Sequence, residues 1–221
     1  MKIHGSVALV TGANRGLGAA FAQALLERGA ATVYAAARTP SAITDPRLTP
    51  LALDITDQDA VRAAAERCGD VTLLINHAGI SRSHAPGPEA ARAEMETNYF
   101  GTLAMSRAFA PILAANGGGA LVNVLSVLSF ITFPQVATYA ASKAAAWSLT
   151  GALRQELGEQ GTLVVGVHAG YIDTDMAARV TVAKISPQEV VARTLDGVES
   201  GLTEVLADEL SRQAKAGLAA S

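Results

Sequence analysis

Cysteine is almost absent from this chain of 221 residues, with Cys68 the only one. An internal disulfide is excluded, and the usage suits a reducing compartment, so a cytoplasmic location is expected. Cys68 ends an alanine-rich stretch that offers it no activating partner, and it reads as a small semi-buried hydrophobe. Charge is also scarce, at 17% of residues against 50% hydrophobic. That balance excludes a disordered chain. The 17 basic and 20 acidic residues leave a net charge of -3. No run of Lys or Arg interrupts the near-balance, so neither nucleic acid nor an anionic membrane surface is an expected partner. No apolar stretch approaches the ~18–20 residues of a membrane span. Met1 to Ser6 leads into an apolar run too short for a signal peptide. His4, His84 and His168 show no ligand spacing, so no metal is expected.

What is present is an alternation. Short aliphatic runs stand at Val7–Val10, Thr32–Ala36, Leu51–Leu53, Leu73–Ile75, Leu121–Val124, Leu163–Val167 and Glu204–Leu206. Helical patterns lie between them, at Gly16–Arg28, from Asp57 to Cys68, at Pro88–Ala115, at Tyr139–Leu157, after Ser186 and from Asp208. Gly29 is placed to end the first helix, and Ser186-Pro187-Gln188-Glu189 has the composition of a helix start. Strands apolar on both faces with helices between them predict an α/β fold, a doubly wound parallel sheet covered on both sides. No linker or repeat divides residues 1–221, so one domain is expected, with ligands at the carboxyl ends of the strands. Pro40 and Pro46 leave little room for a helix between the second and third strands.

Two motifs carry chemistry. The first strand ends in Thr11-Gly12-Ala13-Asn14-Arg15-Gly16-Leu17-Gly18. Glycines there permit a tight turn and close approach to a phosphate, and the following helix presents unpaired N–H groups to an anion. Alone, the motif also fits a simple strand-to-helix turn. Tyr139 and Lys143 are four apart and share one face of a helix. An ammonium beside a phenol lowers its pKa and suits it to proton transfer. Taken alone, such a pair is more often a surface contact.

The combination decides more than either part. Thr11 to Gly18, Asn76-His77-Ala78-Gly79, Asn98, Ser126 and Tyr139/Lys143 stand in the order of the classical short-chain dehydrogenase/reductase family, which the chain resembles from Gly5 to about Asp208. The resemblance implies a single-domain Rossmann-type fold with a seven-stranded sheet. It implies a catalytic tetrad of Asn98, Ser126, Tyr139 and Lys143. Tyr139 would protonate the substrate oxygen as hydride arrives, and Ser126 would stabilise that oxygen. Lys143 would lower the Tyr139 pKa and hold ribose hydroxyls, and Asn98 would help hold a water beside Lys143. Cofactor contacts are implied for Gly12, Asn14, Arg15, Gly16, Leu17, Gly18, Arg38, Asp54, Ile55, Asn76, Ala78 and Gly79, for Tyr139 and Lys143 themselves, and for Gly170, Ile172 and Thr174. Asp54 would accept from the adenine amino group, with a capping role as the lesser alternative. His77 and Ala169 depart from the commoner Asn and Pro of the family, and His77 reads as structural.

The family's NAD-selective members carry an acid at the end of the second strand, where this chain has Ala37 followed by Arg38. With that acid missing, Arg38 and Arg15 are placed to grip a 2′-phosphate, and NADP(H) is the expected cofactor. Leu128, Phe130, Phe133, Pro134, Val136 and Tyr171 would line an apolar pocket under a short lid between Thr174 and Ser186. The expected substrate is a small hydrophobic ketone or aldehyde, reduced reversibly to an alcohol. A 3-ketoacyl reductase and, further off, a non-catalytic NADP-binding sensor are the alternatives. The alanine- and leucine-rich helices Pro88–Ala115 and Tyr139–Leu157 point to a homodimer or homotetramer.

Overall fold

The computed structural model describes residues 1–82 and 87–218. His84 lies outside the described residues. Seven strands form one parallel sheet in the order β3-β2-β1-β4-β5-β6-β7. They are β1 (Val7–Thr11), β2 (Thr32–Ala37), β3 (Thr49–Ala52), β4 (Leu73–Asn76), β5 (Ala120–Val124), β6 (Leu163–His168) and β7 (Glu204–Leu206). The order reverses between β1 and β4, which opens a crevice at their carboxyl ends.

Both faces of the sheet are buried, as uninterrupted aliphatic strands require. Ala8 and Val10 of β1 face α1 (Gly16–Glu27) and α6 (Pro187–Glu199), where Phe21, Leu25, Val190 and Leu195 are buried. Leu9 faces the opposite layer of α2 (Gln58–Arg67), α4 (Thr102–Ala115) and α5 (Ala137–Gly158), with Phe109, Leu113 and Leu153. Each such side chain contributes about 1.5–3 kcal/mol by burial. The first layer lacks a helix between β2 and β3, where the chain makes only a short turn at Pro40–Ala42, as the two prolines predict. Ile43 and Leu48 pack there instead.

The helix ends follow their local chemistry. Asp57 caps α2 by accepting from Asp59 N at 2.9 Å and Ala60 N at 3.2 Å. Ser186 caps α6 through Glu189 N at 3.2 Å. Gly29 ends α1 at φ +78°, and its neighbour Ala30 donates back to the Leu25 carbonyl. The long helix expected at Pro88–Ala115 has a different centre. It is α3 (Pro88–Met95), a wider π-helical turn at Glu96–Gly101, then α4. The last helix, α7 (Glu209–Leu218), begins one residue later than expected, because Asp208 is spent as its cap on Ser211 N at 2.7 Å.

Candidate active site

The carboxyl ends of β1, β4, β5 and β6 bring the expected residues to one crevice. At the end of β1, Gly12 (φ +70°) and Gly16 (φ +54°) turn the chain into α1. A Cβ on Gly18 would lie 2.2 Å from the Gly12 carbonyl oxygen, and one on Gly16 would lie 3.4 Å from Thr174. Glycine is therefore required where the turn closes on itself. The first turn of α1 holds no acidic residue, and the Arg15 side chain does not cap it. Its N–H groups are left to an anion, so this turn fits a dinucleotide's phosphates.

His77 sits beneath the turn. Its Nδ1 is 3.3 Å from the Thr11 carbonyl, and the Thr11 hydroxyl accepts from His77 N and Ala78 N, each at 3.0 Å. Burial, foremost, pulls the imidazole down to about 4. It is neutral at pH 7 and structural in role, as the sequence suggests.

The catalytic candidates come from three elements. Asn98 is buried in the π-helical turn, where its side chain accepts from Ile80 N at 2.8 Å and donates to Ile80 O and Ser142 Oγ, each at 2.9 Å. A Cβ on Gly79 would lie 3.0 Å from Asn98 Oδ1 and 3.6 Å from Lys143 Nζ, so Gly79 lets these two groups approach. Ser126 follows β5, close enough to Tyr139 for its hydroxyl to pull the phenol's pKa down. Tyr139 and Lys143 share one face of α5, with Lys143 Nζ donating to the Val124 carbonyl at 2.9 Å.

Electrostatics here differ from the expectation. Burial pushes the Tyr139 phenol up to about 12, the Glu94 charge adds to this, and the Ser126 hydrogen bond opposes it. Lys143 stands on the same helix. Its ammonium lies 5.9 Å from the ring centroid, turned to Val124, and burial pulls its own pKa down to about 8. At pH 7 Tyr139 is protonated, the form that donates to a substrate oxygen.

Several of the residues expected to meet the cofactor also make contacts within the protein. The Asn76 amide donates to Ser106 Oγ at 3.2 Å and Asn123 Oδ1 at 3.0 Å, which ties β4 to α4 and β5, while its Oδ1 is buried without a partner. Ile55 is buried against Gly101 of the π-helical turn. Gly170 donates its N–H to Asp208 Oδ2 at 2.6 Å, and a Cβ there would strike Leu210; it is a glycine for packing against α7. Leu17 is buried in the core, which leaves only its backbone to an anion. Asp54 Oδ1 accepts from Thr56 N at 3.0 Å and Thr56 Oγ1 at 2.8 Å. Burial raises its carboxyl, but those bonds and the Arg38 charge outweigh it and hold it low.

At the rim, Arg38 is exposed beyond β2. Arg15 pairs with Asp175 at 2.8 Å, both side chains well exposed. Asn14 lies partly buried within the glycine turn, and Ile172 forms a bridge with Ile185 that anchors the short lid. The lid holds one brief turn at Asp175–Ala177. Phe133 and Tyr171 stand 50% and 44% exposed, so the expected pocket is open on that side, while Phe130 is turned inward onto His168.

Sequence reasoning missed Ser142. It is fully buried and links Asn98 to the Tyr139 carbonyl, to which its hydroxyl donates at 2.7 Å. Its place one residue before Lys143 was the available signal. It also missed Glu94, fully buried on α3 and accepting from Arg82 N at 2.6 Å.

The chain is similar to known proteins in sequence and in fold. A family model described as short chain dehydrogenase matches residues 6–184. Gluconate 5-dehydrogenase of Gluconobacter oxydans is 34% identical over 194 residues, 80% of this chain and 75% of that protein. A 3-oxoacyl-(acyl-carrier-protein) reductase of Vibrio harveyi is 32% identical over 213 residues, 91% of this chain and 85% of its own. Among solved structures, a short chain dehydrogenase from Burkholderia cenocepacia in complex with NADP shares 48% identity at TM-score 0.96, covering 100% of this chain and 95% of that one. An NADPH-bound carbonyl reductase from chicken fatty liver shares 27% identity at TM-score 0.80, over 93% and 100%. The fold and site define a dinucleotide-dependent oxidoreductase class. The chain belongs to the short-chain dehydrogenase family.

Proposed function

We propose that this protein reduces a hydrophobic ketone or aldehyde to an alcohol, reversibly, with NADP(H) as cofactor, and that one domain carries both the cofactor and the catalytic groups. The observation that carries the reading is Tyr139 on one face of α5 with Lys143, whose ammonium lies 5.9 Å from the phenol ring centroid, and with Ser126 close enough to pull the phenol's pKa down. Bound NADPH supplies the hydride. Ser126 and Tyr139 donate to the substrate oxygen, and the Tyr139 proton ends on the alcohol. Lys143, held by the Val124 carbonyl 5.9 Å from the Tyr139 ring centroid, would donate to the ribose hydroxyls when the cofactor is bound. Asn98 is fixed by Ile80 and Ser142 so that it orders a water beside Lys143. Gly12, Asn14, Gly16, Leu17 and Gly18 offer backbone to the phosphates, with Thr174 closing over the turn. Arg38 and the missing acid at Ala37 favour the 2′-phosphate, as do the NADP complexes among similar structures. The apolar Phe133 and Tyr171 beside the site and the short lid favour an uncharged, apolar substrate.

A second reading, reduction of 3-oxoacyl thioesters, is supported by the likeness to the Vibrio harveyi enzyme. One assay separates the two and tests both. NADPH oxidation is followed with a panel of aryl and alkyl ketones, aldehydes, sugar-derived ketones and a 3-oxoacyl thioester. Turnover of apolar ketones by wild type, lost by orders of magnitude in Tyr139→Phe with NADPH binding retained, is the expected result. Thioester preference moves the assignment to the second reading. Full binding of NADPH with no turnover of any carbonyl leaves a nucleotide sensor.

A further inference from the structure

His168 has no role in the chemistry above, yet it is fully buried directly beneath it. It is the last residue of β6, and its Nδ1 lies 3.1 Å from the Ser126 carbonyl oxygen. A carbonyl has no proton to give, so Nδ1 carries the hydrogen and donates it. Nε2 is then the bare nitrogen. It has no hydrogen-bond partner and lies 3.7 Å from Glu204 Oε1. The ring stacks on Phe130 at 4.1 Å between centroids and meets the edge of Trp147 at 6.2 Å. Lys215 of α7 lies over both aromatic rings at 4.9 and 4.8 Å and pairs with Glu204 at 2.8 Å.

The bond to Ser126 matters because of which peptide it holds. The Ser126 carbonyl and the Val127 N–H belong to one peptide plane. Val127 N donates to the Ala169 carbonyl at 2.9 Å. His168 and Ala169, consecutive in the chain, therefore grip the two ends of that plane. Ser126 itself is extended (φ -161°, ψ 158°) and opens the turn Val127–Ser129, with Leu128 N donating to its hydroxyl at 3.1 Å. Holding this plane fixes how the turn Val127–Ser129 leaves Ser126, and with it the Leu128 N–H that holds the serine hydroxyl.

We propose that His168 is a positioning residue for Ser126: its Nδ1–H fixes the Ser126–Val127 peptide and thereby aims the serine hydroxyl at the substrate oxygen. The inference rests on the reading of Ser126 given above. It leaves the cofactor contacts of the glycine turn untouched, so its effect falls on kcat and not on NADPH binding.

The test is a double-mutant cycle on the full chain, using NADPH and the best ketone of the panel. The variants are Ser126→Ala, His168→Phe and the pair. Phenylalanine keeps a ring against Phe130 but has no donor. Alone, it is expected to lower kcat roughly 10-fold, the size of a lost buried hydrogen bond, with the KM for NADPH unchanged. In the Ser126→Ala background the same change is expected to cost less than about 2-fold, because the hydroxyl it aims is gone. His168→Asn, whose amide nitrogen takes the place of Nδ1, is expected to recover most of the loss. Emission from Trp147, the chain's single tryptophan, reports whether the packing survives. If His168→Phe does not fold, His168→Gln enters the same cycle. Wild-type kcat in His168→Phe, or losses that multiply across the cycle, overturn the role of His168 while leaving Ser126 catalytic. Undiminished kcat in Ser126→Ala overturns both readings together.

Discussion

At the scale of single residues, burial decides the protonation states that the site uses. Tyr139 and Lys143 are legible in the sequence as a pair on one helix face, and the structure keeps them there. The sequence alone suggests that the ammonium makes the phenol acidic. In the folded chain desolvation dominates instead, with Tyr139 near 12 and Lys143 near 8, because both groups leave water and Lys143 points to the Val124 carbonyl. Arg38 is the residue whose effect is simplest to isolate, being exposed and outside the catalytic cluster. A charge-assisted contact to phosphate is worth about 1.5–3 kcal/mol. Arg38→Ala is therefore expected to weaken NADPH roughly 10- to 100-fold and to change NADH far less. Ala37→Asp adds an acceptor for a ribose diol and a charge against the phosphate, so preference moves towards NADH. The ratio of kcat/KM for the two cofactors checks both, and the Arg38 effect shrinks as salt is raised. An equal loss for both cofactors would show that Arg38 does not read the phosphate.

At the scale of elements, two local shapes carry the site. The π-helical turn at Glu96–Gly101 widens the long helix and leaves Asn98 to reach Ile80 and Ser142. Apolar periodicity could not reveal it, since a single wide turn shifts the pattern by one residue within an otherwise helical run. The glycine turn was legible, since its glycines mark where side chains cannot go. Gly18→Ala tests this directly. Its Cβ would meet the Gly12 carbonyl at 2.2 Å and the His77 ring at 2.7 Å. Backbone cannot yield cheaply there, so overpacking of about 1–3 kcal/mol is expected, along with loss of NADPH binding. Thermal unfolding and fluorescence titration measure the two effects. A Gly18→Ala protein with wild-type stability and affinity would contradict the close approach. Asn76 and Gly170 carry contacts that no local pattern gives: Asn76 ties β4 to β5 and Gly170 holds the start of α7.

At the scale of the whole molecule, two imidazoles, His77 half-buried and His168 fully buried, link stability to pH. His77 and His168 are both held at about 4, below the ordinary 6.5, chiefly by burial. Between pH 6.5 and 4 the unfolded chain binds protons that the folded chain refuses, so stability falls as pH falls through that window. At pH 5 each costs about 2 kcal/mol relative to pH 7. Urea unfolding at the two pH values is expected to show the combined loss, and His77→Asn to remove about half of it. A free energy of unfolding that does not change between pH 7 and 5 would place both rings in contact with water. Self-association is the second expectation at this scale. Phe100 stands 46% exposed on the surface shared by α2 and α4, beside Leu103, Ala104 and Ala108. A symmetric dimer or tetramer that covers this face is expected by light scattering, and only monomer at micromolar concentration would refute it.

The amino-acid sequence by itself determined the alternation of strands and helices, the two-faced sheet, the missing helix after β2, the glycine turn and the Tyr139/Lys143 pair. These are short-range facts. Periodicity, proline and glycine act within a few residues, and a spacing of four on a helix needs no fold to be read. Among the described residues no helix is long and apolar enough to cross a membrane, which the sequence already implied. The tertiary structure alone decided what each polar group spends its hydrogen bonds on. Asn76 turned inward, Asp208 took Gly170, Ser142 joined Asn98 to Tyr139, and His168 came to rest under Ser126, 42 residues away along the chain. Such pairings depend on which strands become neighbours. A buried donor takes whatever acceptor the packing brings within about 3 Å, and no local pattern encodes that partner.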